Sequence, residues 1–242
     1  CGALPGSLIY GADLDVEEVP LTPEDRQHWA YRPLTRPSIP VLATEGWQRT
    51  PVDAFVLARL EPLGLTGCAE ANRPALLRRL AFDLTGLPPT LEEREAFLQD
   101  DAPNAVERLV ERLLASAAYG ERWGQHWLDL ARFAETDGFE HDKLRADAWR
   151  YRDWVIAALN RDLPYDEFLR QQLAGDELAG GDPIATMFCL AGPDMPDVND
   201  QVERRHLRLN ELTSTVGAVF LGMQVGCAEC HDHKYDPISQ AD

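Results

Sequence analysis

Cys227-Ala228-Glu229-Cys230-His231 sets two thiols three positions apart, with an imidazole directly after the second. This Cys-x-x-Cys-His spacing is the attachment pattern of c-type haem: the thiols form thioethers with the two vinyl groups, and the adjacent histidine lies under the iron as axial ligand. Covalent bonds hold the porphyrin even in a small or partly open pocket, leaving axial ligands, hydrogen bonds and burial to tune its potential. Two other chemistries use the same groups. Cys227, Cys230, His231 and His233 offer two thiolates and two imidazoles to a structural zinc, although zinc knuckles separate their ligand pairs by many residues. A redox disulfide between Cys227 and Cys230 belongs after a strand in a βαβ setting, which the pattern here lacks. A chance match to the haem pattern is on the order of one in a thousand at average Cys and His usage. Haem therefore ranks first.

Helices must deliver these groups. Leu212, Val216, Val219, Phe220 and Met223 form an apolar stripe that leads straight into Gly226-Cys227. Upstream, Pro51 to Leu60 opens with proline in a first turn, and Leu76, Leu77, Leu80 and Leu84 form a stripe stopped at Thr85-Gly86-Leu87-Pro88-Pro89. Thr90-Leu91-Glu92-Glu93 is a capping box that starts the next helix. Val106, Leu109, Val110, Leu113 and Leu114 make one buried face, and Tyr119 to Phe133, Trp149 to Leu159 and Tyr165 to Leu173 repeat the helical period. No strand-period segment competes. The expected fold is all-α: an irregular multi-helix domain over residues 48–242, with covalent c-type haem near the C-terminus and an N-terminal anchor and extended arm over 1–47. Pro5, Pro20, Pro23, Pro33, Pro37 and Pro40 forbid long helices in that arm. Its His28-Trp29-Ala30-Tyr31-Arg32-Pro33 run is expected to pin the arm onto the core. Residues 136–144 and 180–199 read as irregular connections, the second long enough for a lid or a surface excursion.

The 242 residues, 45% of them hydrophobic, suffice for one full core or two small ones. No run approaches the roughly 18 apolar residues of a membrane span, so the chain is expected outside the bilayer. Lys plus Arg number 23 against 41 Asp plus Glu, a formal net charge of -18. Such a surface repels phosphodiester backbones, which excludes nucleic acid as a partner, and favours steering towards basic patches on proteins. Cysteines stand at Cys1, Cys68, Cys189, Cys227 and Cys230, an odd number that cannot all pair internally. Translation does not start at cysteine. Cys1-Gly2 matches a bacterial lipoprotein after signal removal, with lipid on the thiol and amine of Cys1, or else a fragment boundary. The lipid reading implies export and a periplasmic or other extracytoplasmic location at a membrane. Cys68 and Cys189 are then left as a disulfide or as buried free thiols.

Longer blocks carry a family resemblance. They are Leu80-Ala81-Phe82-Asp83-Leu84-Thr85-Gly86-Leu87-Pro88-Pro89-Thr90, Tyr119-Gly120-Glu121-Arg122-Trp123 through His126-Trp127-Leu128-Asp129-Leu130-Ala131-Arg132-Phe133, and Asp137-Gly138-Phe139-Glu140. They continue through Ala148-Trp149-Arg150-Tyr151-Arg152-Asp153-Trp154-Val155, Asn160-Arg161-Asp162-Leu163-Pro164-Tyr165, and Phe220-Leu221-Gly222 to the Cys-x-x-Cys-His-x-His-Lys-x-Asp-Pro-Ile run from Cys227 to Ile238. The chain resembles the cytochrome c-like domain of large exported planctomycete proteins. That resemblance implies a haem-binding or haem-derived domain outside the cytoplasm, set between another cytochrome domain and a C-terminal partner domain. The sequence includes neither neighbour, so no activity of the partner domain is carried over.

A low-spin electron-transfer haem needs a sixth ligand, and His126, between Trp123 and Trp127 on a helix, is the leading candidate beside its reading as a core histidine. Met223 lies on the attachment side; Met187, Met195 and His206 are further candidates. An open iron would instead indicate a gas sensor or a peroxidatic enzyme. His233, Lys234, Arg132, Arg150 and Arg152 are candidates to orient a haem propionate. Asp129, Arg132, Glu135, Asp137, Glu140, His141 and Asp142 make either a cation or proton-transfer site or a solvated ionic face. The resulting expectation is an exported, lipid-anchored c-type cytochrome with one covalent haem c, passing single electrons within a membrane-bound redox complex. The rivals are a haem- or metal-dependent enzyme using the Asp129 to Asp142 cluster, and a haemless assembly subunit with a disulfide or zinc at Cys227 and Cys230.

Overall fold

The computed structural model describes residues 22–43, 46–138, 142–194, 198–236 and 238–240. Among them the chain is mostly helical, and an isolated antiparallel bridge between Thr136 and Leu144 stands in place of any sheet. In chain order the helices are α1 (Pro23–Gln27), α2 (Pro51–Leu60), α3 (Arg73–Thr85), α4 (Leu91–Gln99), α5 (Ala105–Leu114), α6 (Ala117–Leu130), α7 (Trp149–Asn160), α8 (Tyr165–Ala174) and α9 (Gln201–Val216). None is long and apolar enough to cross a membrane.

Local chemistry sets the helix ends. Thr22, Thr50 and Thr90 each cap a helix in a closed capping box with Asp25, Asp53 and Glu93, satisfying amides that the first turn leaves without partners. Proline occupies the first turn of α1, α2 and α3, where its missing N–H costs nothing. α3 ends at Gly86, whose φ of 71° is the left-handed conformation that glycine adopts without strain.

The described part of the arm departs from expectation. Thr22 and Pro23 nucleate α1, and Trp29–Tyr31 forms a further single turn, so this stretch is not simply extended. Nor does Trp29 pin it: its side chain is 75% exposed, and its ring tilts against His28 at 5.7 Å, a contact within the same turn. Cys1 and the lipid assigned to it lie outside the described residues.

The chain divides into two compact units, one of Cys1–Tyr31, Asp129–Tyr151 and Leu169–Asp242, the other of Arg32–Leu128 and Arg152–Phe168. In the second unit α3 packs on α4 and α5 around Leu77, Phe97, Ala105, Leu109 and Leu113. The Arg73 guanidinium lies 4.2 Å above the Phe97 ring and donates to the Asp100 carbonyl at 2.8 Å. Gly120 of α6 lets the backbone approach closely: a Cβ there would stand 2.6 Å from the Ile156 carbonyl, and its N–H donates to Asn160 at 2.9 Å. Phe168 stacks on Trp154 and meets the edge of Trp127.

The first unit is held differently. Tyr151, buried, donates to the equally buried Gln172 at 2.6 Å. Phe188, fully buried, packs on Phe220 with ring centres 4.8 Å apart. Arg145 ties two connections together: its Nε donates to Asp137 at 2.7 Å, while its terminal nitrogens donate to the carbonyls of Leu190, Ala191 and Gly192. The long connection after residue 180 thus contains a helical turn, Ala185–Leu190, followed by a pinned segment.

Candidate functional site

α9 begins earlier than its apolar stripe suggested, because the Asp200 carboxylate accepts from Val202 and Glu203 N–H groups and caps it. At its other end the helix widens into a π turn, Gly217–Leu221, closed by Gly222 at φ 66°. Two glycines then let the chain fold back on α9. A Cβ at Gly226 would lie 2.4 Å from Ser214 Oγ, and one at Gly217 the same distance from Val225 Cγ2. Val225–Glu229 forms a 3-10 turn in that position.

This turn carries Cys227 to His231. Ala228 is buried and anchors the turn, while Cys227, Cys230 and His231 are exposed, and both thiols are free. Asn210 of α9 donates through Nδ2 to Glu229 Oε1 at 2.7 Å, and the same nitrogen stands 3.0 Å from His206 Nε2. Gln240 closes the other side, donating to the Glu229 carbonyl at 3.2 Å and to Asp232 Oδ1 at 2.9 Å. Glu229, directly before Cys230, is therefore held from both directions.

The two neighbouring histidines have opposite tautomers. His231 Nδ1 lies 2.7 Å from the Asp232 carbonyl, which only accepts, so Nδ1 carries the proton and Nε2 keeps its lone pair. His233 Nδ1 instead accepts the N–H of Asp236 at 2.8 Å and of Tyr235 at 3.3 Å, which leaves the proton on Nε2. Its main-chain N–H donates to the Ile238 carbonyl at 2.8 Å, and its side chain is only 8% exposed. His233 is thus built into the turn that follows the motif, with an N–H to offer a ligand.

The remaining candidates are dispersed. Arg132 faces Glu211 of α9 with both ends of its fork, at 2.6 and 2.8 Å, and Thr215 supports that carboxylate at 3.1 Å. Its guanidinium also lies over Phe188, so it is already engaged within the first unit. His126 lies on α6 in the second unit, its ring edge-on to Trp123 at 5.5 Å. Arg150 pairs with Asp147 and Arg152 with Asp153, while Lys234 sits over the Tyr235 ring. Met187 occupies the Ala185–Leu190 turn, and Met195 lies outside the described residues.

In the acidic cluster, Asp137 goes to Arg145 and Asp142 accepts from the Gly138 N–H at 3.1 Å. Glu140 and His141 lie outside the described residues. Among the described residues no three His, Cys, Asp or Glu side chains converge to hold a metal ion. Cys68 and Cys189 are both free; Cys68 is exposed, and burial pushes the Cys189 thiol up from its ordinary pKa. Two ion pairs that sequence reasoning missed organise the first unit. Arg204 pairs bidentately with Asp194, a pairing that holds the carboxyl below the usual range, and Arg145 pairs with Asp137.

A family model described as PSCyt2, Protein of unknown function (DUF1549), matches residues 51–242. No curated protein and no solved structure matches.

Proposed function

The chain belongs to that family of proteins of unknown function, and from this premise we propose that it is a c-type haem protein passing single electrons outside the cytoplasm. The observation that carries the reading is the state of the Cys227 to His231 turn. Both thiols are unpaired and open to solvent, and the His231 ring is oriented by a backbone carbonyl so that its Nε2 lone pair is available. Metal-ligating histidines characteristically donate their other ring N–H in this way, which fixes the tautomer and raises ligand basicity. These residues fit haem c: Cys227 and Cys230 would hold the porphyrin by thioethers, and His231 would be the axial ligand.

When bound, the haem supplies a reversible one-electron couple. The protein contributes orientation. Asn210 and Gln240 hold Glu229, and the Asp232 carbonyl holds the His231 ring. His233, with its Nε2 proton, would donate to a propionate.

No described helix is long and apolar enough to cross a membrane. A net charge of -18 steers the domain towards basic surfaces of a membrane-bound redox complex. The test is a reduced-minus-oxidised visible spectrum of the chain exported from a host that matures c-type cytochromes. A haem band that survives acid-acetone extraction is expected. A colourless chain, from cells in which a control cytochrome is matured, overturns the proposal.

A further inference from the structure

α2 is apolar on two sides. Ala54 and Leu57 are buried, yet Val52 (68%), Phe55 (38%) and Val56 (43%) are exposed, and Leu63 and Leu65 continue the exposure past the helix end. Val52, Phe55, Val56 and Arg59 fall at i, i+3, i+4 and i+7, which is one stripe of the helix. Arg59 is exposed and has no ion pair or hydrogen bond among the described residues. An outward helix face is ordinarily polar, so an apolar stripe around one unpartnered guanidinium marks a contact face.

The stripe also matches itself in reverse. About Val56, Asp53 mirrors Arg59, Val52 mirrors Leu60, Ala54 mirrors Ala58 and Phe55 mirrors Leu57. Two copies of α2 laid antiparallel about a two-fold axis at Val56 therefore set each guanidinium level with a carboxylate, apolar level with apolar and small level with small. A two-fold contact between identical chains needs this reciprocity, because residue i meets j while j meets i. Asp53 has the capacity to accept: the Arg49 and Thr50 N–H groups and the Thr50 hydroxyl all donate to its Oδ2, and its Oδ1 receives no donor among the described residues. Antiparallel helices also place opposite dipole ends side by side.

We propose that α2 docks on α2 of a second copy of this chain, as an antiparallel two-fold pair centred on Val56, with Arg59 of each copy on Asp53 of the other. The face is a helix of 10 residues, against the roughly 20–30 residues a side of a standard interface, so the pairing is weak and reversible. It is independent of haem attachment and uses none of Cys227, Cys230 or His231.

The experiment is sedimentation equilibrium of the full chain over a wide concentration range at about 0.3 M salt, where repulsion between two chains of net charge -18 is screened. A reversible monomer–dimer equilibrium is expected. Val56→Glu sets two carboxylates face to face on the axis and should abolish the dimer. Arg59→Glu confronts Asp53 with a like charge and should raise the dissociation constant at least tenfold. Leu91→Glu removes an exposed apolar side chain on α4 and should leave the equilibrium unchanged. All three positions are exposed, so each variant should keep the wild-type circular dichroism spectrum. A chain that stays monomeric throughout, a dimer that survives Val56→Glu or is indifferent to Arg59→Glu, or an equal loss in Leu91→Glu overturns the assignment.

Discussion

The helices α3, α4 and α5 of one unit and the surroundings of α9 in the other solve the same problem by different physics. The first is a layer of apolar side chains: Leu77, Phe97, Leu109 and Leu113 are nearly inaccessible, and surface ion pairs such as Arg112 with Glu93 decorate its outside. The second relies on directional polar contacts, in which Arg145 holds three backbone carbonyls and a carboxylate, Arg132 grips Glu211, and Asn210 holds Glu229. Apolar burial is non-directional and tolerates small shifts, whereas forked guanidinium contacts fix position and orientation together. The turn from Cys227 to His231 lies in the unit built from directional contacts.

Substitutions should separate the two modes. The largest effect is expected for Phe97→Ala, which opens a cavity in the apolar layer and also removes the ring beneath Arg73; about 3–5 kcal/mol of stability should be lost in chemical denaturation. Arg145→Ala should cost less, about 2–3 kcal/mol, by leaving Asp137 and the three carbonyls without their donor. Arg145→Lys should recover only a minority of that loss, because an ammonium cannot span the same partners. If Arg145→Lys is fully restorative, the directional account of this unit fails.

Thr90→Ala removes one capping box and should lower stability by about 1 kcal/mol, with the loss of amide protection confined to the first turn of α4. Comparable in size is the pH effect of Asp194. Its hydrogen bonds to Arg204 lower the folded pKa below the unfolded one, so its contribution is complete above the ordinary carboxylate range. That contribution fades as the pH falls from about 4 through the lowered value. The stability gap between the wild type and Asp194→Asn should therefore be present at pH 7, at about 1 kcal/mol for a single part-buried pair, and close in acid. A gap that widens on acidification would reverse the sign assigned here.

The contrast also explains what the sequence made legible. α2, α3, α4 and α5 could be read directly because a first-turn proline, periodic leucines, the Thr90 capping box and a Gly-Pro stop are local signals. The motif from Cys227 to His231 was equally plain, being a fixed spacing. What surrounds it was not. Asn210 and Glu229 are 19 residues apart, Arg132 and Glu211 79 apart, and no periodicity marks such partners. Arg132 looked available for a propionate because sequence shows a side chain's reach but not its prior engagement. The π turn at Gly217–Leu221 was hidden for a related reason: the apolar stripe runs on to Met223 although the helix widens beneath it. The Asp200 cap and the Thr22–Asp25 box are local signals too, and they mark the starts of α9 and α1.

The central claim rests on intact-protein mass spectrometry of the exported wild type beside Cys227→Ala, Cys230→Ala and the double variant. The account predicts one haem added to the wild type through both sulfurs, a weakened single-thioether product in each single variant, and no addition to the double variant. A wild-type chain carrying no macrocycle, in cells that mature a control cytochrome, or haem retained covalently by the double variant, would contradict it.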